Sequence, residues 1–489
     1  VRDELSQELA RQSGFPDTQN ARPAAVFMNG EYYGFAWLKE PYSEGYLENN
    51  HGGIKENYII IGPNEWGYDA SYTYFNEFRY TYLLAKSGLT DDTAFEEFSS
   101  LVDINNLIHY YAIQVYINNK DWPNNNVKIY RYNAGEDEII TNPHNDGRWR
   151  FIMYDAEFAW NLYSVGEHDD TLRNVLTGSN HMGGKSEILI ALLEREDMQI
   201  LFANTMCDLI DGAFGTENII RTLGELVETA NNERLYALRN GYTSAWANEH
   251  WFESNYESIR SFARVRPEVM LTSLRINLGF DETEMYNITF TIPEGAEAWF
   301  NTRRLSEAGT LTGSYFNGNY FEIGMNPYTG FDFDFWTIND ATFYDANMIV
   351  TSDMAVNGEI AIELHLKESE SENIFISAVC SGINGWIELY NPNTFAFSVT
   401  DLFLSDEIEN LTRWKIPEIN IAPQSFLTIV TRNNNSIEAM HRTQTNFNIR
   451  TGETIFLSNG NGEILSHVNV TVEELRRQPN GNYAVVNNR

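Results

Sequence analysis

Two cysteines, Cys207 and Cys380, are all that this chain of 489 residues contains. Two thiols build neither a disulfide framework nor a Cys-type zinc site, and each reads as a small hydrophobe in a separate core. Long apolar runs are missing as well: no stretch reaches the roughly 18 residues from which a membrane-spanning helix is read. No charged-then-apolar leader opens the chain, and a first residue Val1 in place of Met predicts that an upstream piece has been removed. Positive charge is scarce, with 33 Lys and Arg against 69 Asp and Glu, a formal charge of −36. Phosphates would be repelled at long range, which argues against nucleic acid and anionic membranes as partners. The P-loop, His-Glu-x2-His, Gly-x-Ser-x-Gly and dinucleotide fingerprints are all absent. The nine histidines are scattered with no metal-like i, i+4 pair, and His109 reads as a packed or surface residue.

What the chain does have is apolar mass. Apolar residues make up 43%, including 27 Tyr, 29 Phe and 11 Trp, enough for several cores and too much for a disordered chain. At roughly 100–200 residues per domain the length predicts two to four domains. Scarce cysteine, high acidity and abundant Asn, Tyr and Trp suit a secreted bacterial protein.

The hydrophobic pattern divides the chain in three. Residues 1–278 mix short strand-like runs with long helical ones, an α+β domain with strands first and helices last. A helix is expected over 2–14, with Leu5 and Leu9 on one face and Gly14 as its stop. A hairpin follows over 25–38 with Asn29-Gly30 as its turn. Asp103 caps a helix whose Ile104, Leu107, Ile108, Tyr111 and Val115 repeat at helical spacing. Residues 283–366 alternate at period two, as in Asn287-Ile-Thr-Phe-Thr-Ile, and read as a small all-β unit. The charged stretch Lys367-Glu-Ser-Glu-Ser-Glu372 reads as a linker. Residues 373–489 then show strands at sandwich-like spacing.

Two clusters carry potential chemistry. In Asn118-Asn-Lys-Asp-Trp-Pro-Asn-Asn-Asn126, Asp121 lies five residues before Asn126, between an apolar helix and a strand. Phosphoryl transfer needs such a pair: an acid to orient or deprotonate an acceptor hydroxyl, and an amide oxygen for a divalent metal on the triphosphate. An Asn-rich turn satisfying its own backbone would look the same. In Trp149-Arg-Phe-Ile-Met-Tyr-Asp155, an aromatic strand ends in an acid, and Glu157 follows on the same side of an extended chain. That places Asp155 as a metal ligand and Glu157 as a second one, with strand-end solvation as the plain alternative. Finding both clusters in this order favours the chemical reading. Lys39 and Glu40 close the hairpin, where Lys39 could reach a phosphate and Glu40 a lysine or metal, or both could form an exposed charged pair.

Taken together, Arg2-Asp-Glu-Leu-x3-Leu-Ala, Ala25-Val-Phe-Met-Asn-Gly-Glu-Tyr-Tyr-Gly34, Leu38-Lys-Glu40, Asp121-Trp-Pro-x2-Asn126 and the strand ending at Asp155 resemble the CotH family of spore-coat-type, kinase-like proteins over residues 1–278. The resemblance implies an atypical, two-lobed protein-kinase fold using ATP and Mg²⁺ or Mn²⁺ to phosphorylate secreted or coat proteins. It would make Asp121 the catalytic-loop acid, Asn126 a metal ligand and Asp155 the principal one. The family's early strands would precede Val1. Asn57-Tyr-Ile-Ile-Ile-Gly62 stands where some members carry Leu-Tyr-Lys, so the nucleotide-anchoring lysine is unassigned. Residues 385–392, 404–406, 414–417, 452–457 and 477–481 follow the motif order of a lamin-tail domain, which implies an Ig-like sandwich with Trp386 and Trp414 as packing residues. Gly330-Phe-Asp-Phe-Asp-Phe-Trp-Thr-Ile-Asn339 resembles bacterial surface β-repeats. Both β units are then expected to serve display or binding, including contact with cell-wall polysaccharide. A non-catalytic surface scaffold that keeps a kinase-like shell is the rival expectation.

Overall fold

The computed structural model describes residues 1–489 except 63–74, 124, 136–141, 163–165, 179–185, 241–248, 281–283, 329–330, 369–373, 383–384, 418, 432–443, 471–473, 478–482 and 486–489. Most of the linker expected over 367–372 and part of the 477–481 motif therefore lie outside the described residues. The protein is a mixed α+β structure: among the described residues every α-helix lies at or before Leu278, and most of the sheets follow. Among the described residues no helix is long and apolar enough to cross a membrane.

Helix α1 (Arg2–Gln12) carries Asp3 and Glu4 in its first turn and Arg11 in its last, the order the helix dipole favours. Leu5 and Leu9 are fully buried. Strands β1 (Ala21–Met28) and β2 (Glu31–Lys39) form the expected hairpin, Met28 opposite Glu31. Its turn residues Asn29 and Gly30 both take positive φ, 53° and 86°, as a tight two-residue turn requires. After α2 (Glu44–His51) comes β3 (Tyr58–Ile61), then α3 (Phe75–Ser87), α4 (Asp92–Leu101) and α5 (Ile104–Ile117).

Asp103 caps α5 by accepting from the Asn106 N–H. The one-sided stripe read from the sequence understates this helix: from Asn106 to Ile117 every residue is buried, which marks a central helix. The antiparallel sheet β3–β4–β5, with β4 (Lys128–Tyr132) in the middle and β5 (Arg150–Ile152) at its edge, packs beside it. Helices α6 (Thr171–Leu176), α7 (Glu187–Leu192), α8 (Glu196–Asp211), α9 (Thr216–Arg239) and α10 (Glu249–Leu278) complete this part.

Strands β6 (Met285–Ile292), β7 (Ala296–Phe300), β8 (Arg303–Leu305), β9 (Gly309–Phe316), β10 (Tyr320–Pro327), β11 (Phe331–Ile338), β12 (Ala341–Phe343), β13 (Met348–Thr351) and β14 (Glu359–Glu368) form a five-stranded sheet β12-β11-β14-β6-β9 and a four-stranded sheet β13-β10-β7-β8. This unit does not stand apart. One cluster of buried residues runs from Leu5 through α5 and α8 to Leu364. Asp208 on α8 is the polar anchor: Asn301 Nδ2, Thr302 N, Thr302 Oγ1 and the Tyr315 hydroxyl all donate to its carboxylate at 2.6–3.0 Å.

The remaining described strands build a six-stranded, a four-stranded and a two-stranded sheet, with a separate core that includes Ile376, Leu389, Leu404, Ile429 and Leu457. Trp414 packs on that core. Trp386 does not belong to it: it alternates with buried Ile387 and so sits on the opposite face of its strand. The two cysteines are not disulfide-bonded to each other, Cys207 being buried in the larger core and Cys380 half-buried. His109 is a packed histidine, with Nε2 2.9 Å from Ser13 Oγ and its ring edge-on to Phe15, and burial lowers its pKa to about 4.

Candidate functional site

Helix α5 ends at Asn118, whose left-handed φ of 52° turns the chain into the Asn-rich loop. Asn and Asp tolerate this conformation better than other residues with side chains. Trp122 pins the loop by packing edge-on to Tyr110 and Tyr111 of α5, ring centroids 6.2 and 5.3 Å away. Both oxygens of Asp121 then accept a side-chain amide, Oδ1 from Asn125 at 2.8 Å and Oδ2 from Asn126 at 3.1 Å. Asn126 is itself left-handed, φ 57°, and buried.

The second acid arrives from β5. That strand is buried throughout, its Ile152 opposite Lys128. Beyond it, Met153 donates its N–H to the Asp17 carbonyl, and its own carbonyl accepts from Gln7 Nε2 at 3.0 Å and the Tyr42 hydroxyl at 2.7 Å. Asp155 then takes φ 46°. Its carbonyl accepts from Asn126 Nδ2 at 3.0 Å and Asn119 Nδ2 at 3.3 Å. Asn126 thus touches both acids, the carboxylate of Asp121 and the backbone of Asp155. With Nδ2 facing two oxygens, its Oδ1 is the remaining atom for a cation.

A left-handed acid just beyond a buried strand is a candidate position for function. Burial raises the pKa of Asp155, and the nearby Asp3 and Asp121 carboxylates add to this; the Glu157 N–H and Lys39 oppose it. A divalent cation would relieve that repulsion. Asp155, Asp121 and the Asn126 amide oxygen are hard oxygen donors, the kind Mg²⁺ and Mn²⁺ take. Among the described residues no group of three or more His, Cys, Asp or Glu stands ready to hold a metal.

Lys39 reaches the same place from the hairpin. Its Nζ lies 2.5 Å from Asp3 Oδ2 and 2.9 Å from Glu4 Oε1, both acids buried. Burial works against its charge, but the two carboxylates outweigh this and raise its pKa. Glu40 points elsewhere: its side chain is exposed and accepts the Asn20 N–H at 3.1 Å. Glu157 is likewise exposed. The chain there is a turn rather than extended, so the alternation that would align it with Asp155 does not hold. Glu157 instead lines an apolar pocket of about 430 Å³ with Phe158, Phe35, Val227 and Tyr256.

The structure therefore gathers Asp121, Asn126, Asp155 and Lys39, with Glu40 turned to Asn20 and Glu157 to the apolar pocket. Sequence reasoning passed over Asp3, Gln7 and Asn119. Asp3 accepts the Ala156 N–H at 2.9 Å while pairing Lys39, and so ties α1 to the Asp155 turn. Asp3 and Gln7 share the face of α1 opposite Leu5 and Leu9, and the structure buries both faces, which a one-sided apolar stripe does not announce.

A family model described as CotH kinase protein matches residues 1–270. No curated protein matches the chain.

Proposed function

Because the chain belongs to the CotH kinase protein family, we propose that its first 278 residues act as a two-lobed kinase-like phosphotransferase, moving the terminal phosphoryl group of ATP to a hydroxyl of a protein substrate. The observation that carries this reading is Asn126, whose one amide holds the Asp121 carboxylate and the Asp155 backbone together. Asp121 would orient the acceptor hydroxyl and take its proton, Oδ1 and Oδ2 being fixed by Asn125 and Asn126. Asp155 and the Asn126 oxygen would hold Mg²⁺ or Mn²⁺. Bound there, the metal neutralises triphosphate charge. The chain's own contribution is mainly positioning, since phosphoryl transfer asks little covalent work of a protein. Glu157 would contribute at most an outer contact, and Lys39 would serve the nucleotide only from its pair with Asp3 and Glu4.

One observation favours a second reading. Lys39 is already neutralised by two buried carboxylates, which fits a surface scaffold that keeps the kinase-like shell without transferring phosphate. In either case we assign residues 373–489 to a lamin-tail, Ig-like sandwich and both β units to display, with polysaccharide contact as their expected role. Acidity and scarce cysteine favour a secreted setting. The deciding experiment is ATP titration with Mg²⁺ or Mn²⁺, followed by phosphate transfer to candidate surface proteins. Binding without transfer to any protein would support the scaffold, and no binding under either metal would reject the kinase.

A further inference from the structure

Asn119 is fully buried, with no side-chain surface open to solvent. Its carboxamide nevertheless meets both acids. Oδ1 accepts the Asp121 N–H at 3.3 Å, and Nδ2 donates to the Asp155 carbonyl at 3.3 Å and to Gln114 Oε1 at 3.2 Å. The orientation is fixed by its partners, because a flipped amide would set NH₂ against the Asp121 N–H and oxygen against two oxygens. Gln114, fully buried in α5, continues the chain of contacts, its Nε2 lying 3.9 Å from Met153 Sδ on the Asp155 strand.

Asn119 and Asn126 divide the work. Asn126 grips the Asp121 carboxylate and, from the same amide, the Asp155 carbonyl. Asn119 grips main chain on both sides, and backbone position sets where each carboxylate can point. Loop and strand come from segments far apart in sequence, and the carboxamide spans them where no sheet ladder does.

We propose that Asn119 is the positioning residue that fixes the separation of the two acids. The proposal rests on the phosphoryl-transfer reading and extends it. Holding acceptor and metal acids at one spacing lets hydroxyl and phosphate meet in line, and a misplacement of about 1 Å can cost about 100-fold in rate. Asn119 itself touches neither nucleotide nor acceptor, so binding should be largely spared.

The test uses the full chain with Asn119→Ala and Asn119→Asp. Asn119→Ala removes all three bonds. Asn119→Asp keeps an acceptor for the Asp121 N–H and loses the donor to Asp155. Expected for both is a fall in kcat of about 100-fold with KM for ATP nearly unchanged, and a shift of the Mg²⁺ activation midpoint to higher concentration. Hydrogen exchange at the Asp121 amide should lose protection in Asn119→Ala and keep it in Asn119→Asp, with α8 amides unchanged in both. If Asn119→Ala does not fold, Asn119→Asp still decides through kcat and the metal midpoint. Unchanged kcat and metal midpoint in a folded variant would overturn the proposal, as would protection at Asp121 that survives Asn119→Ala. A wild-type protein that transfers no phosphate rejects the kinase reading by itself, and the exchange arm then still decides whether Asn119 holds the Asp121 backbone.

Discussion

Asp155→Asn separates what the site costs the fold from what it does for a ligand. The substitution is gentle in shape. Asparagine accepts the left-handed backbone that Asp155 adopts, φ 46°, as readily as aspartate, and its Oδ1 can still face the Glu157 N–H. What changes is charge. Burial first, then Asp3 and Asp121, raise the Asp155 pKa in the folded protein above its ordinary value. A raised acid holds its proton longer when folded than when unfolded, so its stabilising contribution is full at low pH. That contribution is lost as pH climbs through the raised value. Wild type and variant should therefore melt together in acid, with the variant pulling ahead as pH rises past the ordinary carboxylate range. Relief of a destabilised functional residue typically gives about 0.5–2 kcal/mol, or roughly 2–4 °C per kcal/mol in a domain of this size. Scanning calorimetry without metal between acid and neutral pH reads this directly. In the same protein, metal-dependent nucleotide binding should vanish. A variant less stable than wild type at neutral pH, or one that binds nucleotide as before with Mg²⁺, would refute the reasoning.

Other substitutions should separate just as cleanly. Asp121→Asn should keep nucleotide binding and lose about 10²–10⁴-fold in transfer, the usual share of a general base, as single-turnover kinetics would show. Lys39→Met should leave Asp3 buried without its cation, lowering stability in chemical denaturation by about 3 kcal/mol at neutral pH and less in acid. Asp211, which accepts the Ser314 N–H at 2.8 Å, has its pKa raised to about 6, by burial first and by Asp208, against the opposing Ser314 N–H and Arg303. Its ionisation should weaken the join between α8 and β9 as pH rises from the ordinary range through about 6. Asp211→Asn should then melt above wild type at neutral pH and equally in acid; a gap that is widest in acid would contradict this.

The elements with strong local codes were legible in the sequence. Asn29-Gly30 specifies its turn because few residues tolerate two consecutive positive φ angles. Asp103 announces α5 because a short carboxylate at that place satisfies an otherwise orphan N–H. Asp121, Asn126 and Asp155, singled out from the loop after α5 and the end of the β5 strand, do come together in the fold. The misreadings share one cause, the assumption that a short stretch continues its local geometry. Glu157 was aligned with Asp155 as if the chain ran extended, but the left-handed Asp155 breaks the alternation. The α5 stripe of Ile104, Leu107, Ile108, Tyr111 and Val115 covers one side only, because Asn106, His109 and Gln114 read as polar although tertiary partners bury them. Asp3, Gln7 and Asn119 stayed silent for the same reason. Their partners Ala156, Met153 and Asp155 lie far away in sequence, and no periodicity records a hydrogen bond between distant segments.

The central claim is that Asp155 and Asn126 hold a metal-bound nucleotide beside Asp121. Isothermal titration of the full chain with ATP, with Mg²⁺ or Mn²⁺ and again with chelator, tests it most directly. The account predicts binding with metal, none with chelator, and none for Asp155→Asn under either condition. Absence of binding with both metals, or binding that persists unchanged in chelator and in Asp155→Asn, would contradict it.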